Sequence, residues 1–398
     1  MKATRASAVW GLGLGLMLAA APTSRAALRA ISPETAMALH ADRAKIESGL
    51  DQASREFEVP TSLLRAVAYV ESRWHQSIPE EGTEGAAEGS HQRAYGVMGL
   101  RDDDWFGHSL QTAAALTGQT PELLKLDPVA NIRGAAAYLR SLRKSEGEFF
   151  DWSVHSESER LVAWIPALKK YSGMPSADDV ALYINAVFEI LRTGADQNGI
   201  FVARASGDFP LSIFAIRPLA VSPGESEYPG AEWDASPNIT PDAIQPTHIV
   251  IHDTEGSFAG AVSWLKSPPA QVSAHFVIRS SDGYIKQLVH LKDKAWHARC
   301  WNAFSIGIEH EGFMDNPDYY TEVMYQSSAS LVKFLTGKYN IPISPSRIIA
   351  HGFRSSVYFP GRGVPDCNTH TDPGIFWDWE TYFGLLGLTS LPLPPVLP

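Results

Sequence analysis

Residues 247–254 read THIVIHDT, a short β-branched run ending in a histidine, an aspartate and a threonine. Alternation over so few residues predicts a strand with one buried face. Two further runs read the same way. AHFVIRSSDGYIKQLV (274–289) predicts a hairpin turning at Asp282-Gly283. FSIGIEHEG (304–312) sets Phe304, Ile306 and Ile308 against Ser305, Gly307 and Glu309. A helix is predicted over YTEVMYQSSASLVKFLTGKY (320–339), stopping near Asn340 and Pro342. Strands mixed with helices make this half α/β or α+β.

The N-terminal half has a different texture. LLRAVAYVESRW (63–74) places Leu63, Val67, Val70 and Trp74 on one helical stripe behind Pro60. DPVANIRGAAAYLRSLR (127–143) opens with Asp127 as N-cap and Pro128 at the first helical position, and Val129, Ile132, Ala136 and Leu139 form its apolar face. No strand pattern of similar strength interrupts residues 34–194, which read as all-α. From about 198 to 245 the chain is rich in Pro, Gly and Ser, as a connector or an extended wrap would be.

The chain has 398 residues, 44% hydrophobic and 19% charged, with a formal net charge of −11. That length favours two domains. An acidic chain without a Lys/Arg-rich run lacks the basic face that nucleic-acid binding needs. Lys2 and Arg5 precede the 13-residue apolar run VWGLGLGLMLAAA and then PTSRA. This pattern reads as a signal peptide over 1–26, since a membrane span needs about 20 apolar residues. Export to the periplasm or the outside of the cell is therefore expected, with no membrane anchor after cleavage. Cys300 and Cys367 are the only cysteines; in an exported protein they form either a disulfide or two buried thiols.

Metal motifs with local spacing are absent, so a metal site would have to gather distant residues. His252 ends a hydrophobic strand, His351 follows RIIA (347–350), and Asp372 lies in HTDPG. Two imidazoles and a carboxylate with an open fourth position suit a catalytic zinc. Singly, each residue reads better as a solvated strand end or an ordinary turn than as a ligand.

Five segments occur in order over about 150 residues: IVIHDTEGS, VSAHFVIRSSDGYIKQLV, AWHARCWNAFSIGIEHEGF, IIAHG and THTDPGIFWDW, with YPGAEW (228–233) ahead of them. Together they resemble the zinc-dependent N-acetylmuramoyl-L-alanine amidases, related to phage-type amidases and peptidoglycan recognition proteins. The resemblance implies Zn2+ on His252, His351 and Asp372, with Glu309 as the catalytic carboxylate. It also implies His370 as the donor to the developing oxyanion, and Trp296 and His297 lining the substrate groove or packing as a pair. Cys367 is a rival third ligand, but Asp372 holds the place directly before Pro-Gly. That leaves Cys367 to pair with Cys300 and pin the long interval FRSSVYFPGRGVPDCN (353–368).

In the first half, VPTSLLRAVAYVESRW, Ser90 followed by AYGVMGL, and DPVANIRGAAAYLRSL resemble soluble lytic transglycosylases and goose-type lysozymes. Glu71 falls at the catalytic position, on the rim of an apolar helix face, and Ser90 at a substrate-binding one. Gly99 stands where relatives carry Gln, and Ala163-Trp164-Ile165 where they carry Ala-Tyr-Asn. The combined expectation is a signal peptide (1–26), an all-α lysozyme-like domain (34–194), a linker (195–227) and an α/β amidase domain (228–390). The last would hold a central mixed sheet flanked by helices. The expected substrate is peptidoglycan, cut at the stem-peptide amide, with the first half holding glycan strands. A bifunctional amidase and transglycosylase, and a recognition protein without catalysis, are the alternatives. If the cysteines staple residues 353–368 to the strand edge, Cys367→Ser will lose zinc more readily on dialysis, and unchanged metal content and activity would refute the staple.

Overall fold

The computed structural model describes residues 33–78, 92–145, 155–197, 199–210, 213, 226–352, 370 and 372–388. The expected signal peptide, Ser90 and Cys367 lie outside the described residues.

The first half is helical: α1 (Pro33–Phe57), α2 (Thr61–Ser72), α3 (Ser109–Thr117), α4 (Pro121–Leu126), α5 (Pro128–Ser145), α6 (Glu157–Val162), α7 (Ile165–Tyr171) and α8 (Ala177–Thr193). Local chemistry sets the ends. Pro60 stands immediately before α2, and Arg73 closes that helix at φ 52°. Asp127 caps α5 as expected, its Oδ1 accepting from Ala130 N at 2.7 Å. Leu63, Val67, Trp74, Ile132, Leu139, Trp164 and Tyr183 fill the core. A hairpin, β1 (Ala94–Tyr95) with β2 (Leu100–Arg101), crosses this bundle. Buried Asn131 on α5 pins it, donating to Tyr95 O at 3.0 Å and accepting from Met98 N at 2.8 Å.

In the stretch expected to open the linker, β3 (Ala195–Gln197) pairs antiparallel with β4 (Ile200–Val202). Ile200 and Val202 turn into the first half's core while Phe201 faces out, and Arg65 donates to Phe201 O at 2.8 Å. Alternation over three residues is too brief to stand out against a Pro- and Gly-rich background.

The second half is α/β. A six-stranded sheet has the order β12 (Ile348–Ala350), β7 (His248–Asp253), β11 (Ser305–His310), β8 (Phe276–Ile278), β9 (Ile285–Gln287), β5 (Ala231–Trp233). It is mixed: the first four strands run parallel, and β9 pairs antiparallel with β8. A separate pair joins β6 (Ile239–Thr240) to β10 (Lys294–Ala295). Ile249, Ile251, Ile306 and Ile308 point to one face, under α10 (Glu322–Tyr339) and α11 (Trp379–Leu386). The α10 helix stops where expected, at Asn340 with φ 54°. The opposite face meets α9 (Phe258–Leu265). Among the described residues no helix is long and apolar enough to cross a membrane.

The two halves are not beads on a string. Val262 and Leu265 of α9, with Val277 of β8 and Leu288 just past β9, belong to the same apolar cluster as the helical core. Polar contacts run alongside. Lys266, just past α9, pairs with Asp179 of α8 at 2.6 Å and with Asp234 at 2.9 Å, and fully buried Lys286 adds a 2.9 Å bond to Asp234. Breaking a buried pair strands its partner's charge at a cost of about 3–5 kcal/mol. Lys266→Met is therefore expected to lower equilibrium stability in urea by that amount, and a loss below about 1 kcal/mol would show that this cluster does not hold the halves together.

Candidate active site

Three neighbouring parallel strands carry the site. In the β7–β11 register Glu309 lies beside His252, and Ala350 of β12 lies beside Ile251. His351 extends β12, its N–H donating to Ile251 O at 3.1 Å. His252, Glu309 and His351 thus end up abreast at the carboxyl ends of the strands, the usual place for sites in such sheets. Side chains alternate along a strand, so the apolar Ile251 and Ile308 commit His252 and Glu309 to the other face. Asp372 is brought in from just before α11 by its own backbone, whose carbonyl accepts from Gly352 N at 2.9 Å. All four side chains are buried.

Asp372 faces both imidazoles: Oδ2 is 3.0 Å from His252 Nδ1 and Oδ1 is 2.9 Å from His351 Nδ1. A hydrogen-bond chain fixes what His252 offers. Ser305 donates its hydroxyl to Trp301 O at 2.6 Å, so its Oγ accepts from His297 Nε2 at 3.2 Å. His297 Nδ1 then accepts from His252 Nε2 at 2.9 Å, leaving the Nδ1 lone pair of His252 aimed at a carboxylate oxygen. Burial, reinforced by His252, holds the His297 pKa well below the ordinary histidine value, consistent with this neutral acceptor. Two facing lone pairs at 3.0 Å repel unless a second proton on His252 or a metal cation lies between them, and a divalent metal meets that need. The three donor atoms lie within 4.8 Å of one another, so they would draw in by about 1 Å to reach the ~3.3–3.6 Å separations around a tetrahedral metal bound at ~2.0–2.2 Å. The donor set therefore fits zinc.

Glu309 stands beside this cluster, Oε1 4.0 Å from His252 Nδ1, and its buried Oε2 has no hydrogen-bond partner. Burial, with the Asp372 carboxylate nearby, pushes its pKa well above the usual carboxylate range. Asp372 goes the other way: burial alone would raise it, but His351 and His252 hold it well below. Two neighbouring carboxyls with opposite shifts are a frequent sign of divided roles, one holding charge and one exchanging a proton. His370 stacks on His351, ring centroids 4.4 Å apart and planes at 18°.

Comparison with known proteins agrees with this geometry. A family model described as N-acetylmuramoyl-L-alanine amidase matches residues 242–375, and one described as transglycosylase SLT domain matches residues 49–167. N-acetylmuramoyl-L-alanine amidase A of Achromobacter lyticus is 35% identical over 164 residues, 39% of this chain and 93% of that protein. The chain belongs to the N-acetylmuramoyl-L-alanine amidase family. The 1,6-anhydro-N-acetylmuramyl-L-alanine amidase AmpD of Haemophilus influenzae is 36% identical over 121 residues, 28% of this chain and 57% of that protein. The crystal structure of a selenomethionine AmpD derivative aligns at 29% identity with a TM-score of 0.30, over 40% of this chain and 96% of that one. The chain is thus an amidase domain joined to an SLT domain.

Other expected residues take different places. In the amidase domain His297 is buried behind His252 and bonds to its Nε2. Trp296 is half-buried, its indole donating to Thr240 Oγ1 at 3.1 Å. Cys300 is disulfide-bonded. In the SLT domain, Glu71 is not on a rim. It is 2% exposed, ion-paired to Arg101 at 3.2 Å, and its Oε2 faces Ser257 Oγ of the amidase domain at 3.4 Å. Burial raises its pKa, against the pull of Arg101. Helix periodicity placed Glu71 correctly on α2, but nothing in that pattern reveals a second domain lying over it. Gly99 has a local reason as well: a Cβ there would sit 2.4 Å from Glu71 Oε2.

His297 holds the tautomer of His252, one of three residues that could hold a metal ion, and outer partners of metal ligands are worth ~10–100-fold in metal affinity. His297→Ala is expected to weaken zinc binding by that factor in a chelator competition, with Asp372→Ala retaining no zinc after dialysis. Unchanged affinity in His297→Ala would refute the hydrogen-bond chain described above.

Proposed function

We propose that this chain is an exported zinc amidase that hydrolyses the bond between N-acetylmuramic acid and the L-alanine of the peptidoglycan stem peptide. The observation that carries the reading is the pair of imidazole nitrogens converging on Asp372 beside a buried carboxylate oxygen with no partner. Zinc held by His252, His351 and Asp372 would supply Lewis acidity and a water acidified to a pKa of ~7.

The remaining work falls to the chain's own groups. Glu309 accepts the proton of the attacking water, for which a carboxyl with a raised pKa is suited, and returns it to the departing alanine nitrogen. The water oxygen bonds to the carbonyl carbon, the C–N bond breaks, and the products are a carboxylic acid and an amine. His370, which stacks on His351, would donate an N–H to the carbonyl oxygen as charge builds there. Export rests on the charge and apolar pattern of residues 1–26, and pairing of Cys300 with Cys367 on there being no other cysteine.

A recognition-only role would fit a chain that lacked a ligand, and this one has all three together with Glu309. The bifunctional alternative is disfavoured by the burial of Glu71, which leaves no approach for a glycosidic oxygen. Glycan holding by the SLT domain would have to use a surface outside that pocket.

Zinc-loaded protein digesting intact peptidoglycan is expected to release stem peptides beginning with L-alanine, identified by mass analysis. Glu309→Gln should keep its zinc and lose ~10²–10⁴-fold in rate, the usual worth of a general acid–base. Bound zinc without peptide release from the unaltered protein would overturn the amidase reading.

A further inference from the structure

Four residues form a closed ring of buried polar contacts where the two domains meet. Glu71 Oε2 pairs with Arg101 Nη2 at 3.2 Å. Arg101 Nη1 donates to Gln92 Oε1 at 2.7 Å. Gln92 Nε2 donates to Ser257 O at 2.9 Å, and Ser257 Oγ donates back to Glu71 Oε2 at 3.4 Å. None of the four is more than 2% exposed. Three belong to the SLT domain and one to the amidase domain.

The amidase domain is shaped to receive this ring. A Cβ on Gly256 would lie 2.0 Å from Gln92 Nε2, and one on Gly260 would lie 1.7 Å from Gln92 Oε1, so both positions admit the amide only as glycine. Ser257 is the N-cap residue of α9, yet its hydroxyl makes no capping bond. Glu311 supplies the acceptor for Phe258 N instead, at 3.0 Å. A cap residue released from its local duty in this way is committed to the neighbouring domain.

The ring also reaches the reaction centre. Thr254–Ser257 is the loop that leaves β7 directly after His252 and Asp253. It stays tied to β11, with Thr254 N donating to His310 O at 3.0 Å and Gly256 N to Gly312 O at 2.9 Å. Gln92, Thr254, Ala261, Trp264, Leu265 and Glu309 surround one small gap with no room for a water, so an SLT-domain amide packs into the same wall as the catalytic carboxylate.

We propose that the SLT domain is a fixed part of the amidase rather than a second glycan-cleaving enzyme, and that Gln92 is a positioning residue for the amidase reaction. This rests on the amidase reading given above. Glu71, at the position of a catalytic acid, serves as the anchor that orients Arg101 and through it Gln92. Gln92 in turn fixes the loop between His252 and α9, and with it the wall shared with Glu309.

Three measurements test this. In the unaltered protein, hydrogen exchange at the backbone amides of α9 and of residues 94–101 is expected to be as slow as in β7. Exchange there by a local opening at least ~10²-fold faster would make the contact a lid and overturn the proposal. Gln92→Leu keeps the side chain's bulk and removes both bonds; it should retain zinc and keep KM within about twofold while kcat falls about tenfold. Full kcat in a folded, zinc-loaded Gln92→Leu protein would also overturn it. Mass analysis of glycan products should find no anhydro-muramyl ends, whereas such ends, lost in Glu71→Gln, would make Glu71 a working acid. Should the unaltered zinc-loaded protein release no stem peptide, the amidase reading fails on its own, and the exchange measurement still decides whether the domains are fixed.

Discussion

The active site depends on the parallel register of β7 with β11 and β12. Side-by-side pairing sets Glu309 next to His252 and brings His351 level with them, so three chemically active groups from three distant segments line up without any loop having to find its place. The same register sends Ile249, Ile251, Ile306 and Ile308 to the opposite face, into the core beneath α10 and α11. A one-residue slip of β11 would turn Glu309 into that core and Ile308 into the site. Hydrophobic burial therefore enforces the catalytic geometry: the site is accurate because the other face is apolar.

Much of this was legible in sequence because it is written in period and order. Alternation around Ile306 and Ile308 assigned Glu309 to the opposite face before any coordinates, and the ordered segments ending in THTDPG singled out His252, His351 and Asp372. The capping of α5 by Asp127 and the stop of α10 at Asn340 are local events, decided by residues a few positions apart. His297 was placed in the right neighbourhood. Sequence order puts it near the site, but only the chain Ser305–His297–His252 reveals its bond to His252.

What escaped the sequence is tertiary. Glu71 was placed on α2 correctly, yet its exposure is decided by α9, whose facing residue Ser257 lies 186 positions away. Arg101, Gln92 and Ser257 have no spacing that links them, and each alone reads as an ordinary surface polar residue. The β3–β4 pair was lost for the opposite reason: it is local but so short that three alternating residues cannot be told from a connector.

Burying Glu71, Arg101, Gln92 and Ser257 together also explains why the domain contact should be all-or-none. Each group was desolvated to enter the ring, and each is satisfied mainly by the next, so removing one strands its neighbours in a medium where an unpaired charge costs several kcal/mol. Partial opening is thus worse than either the closed state or full separation. Full separation would in turn expose the apolar cluster that Val262, Leu265 and Val277 share with the helical core. A polar ring that tolerates no half-open state, set within an apolar seam that resists separation, favours a single rigid arrangement. In that arrangement the carboxylate that would have served glycan cleavage is occupied in holding the amidase domain's loop beside Glu309.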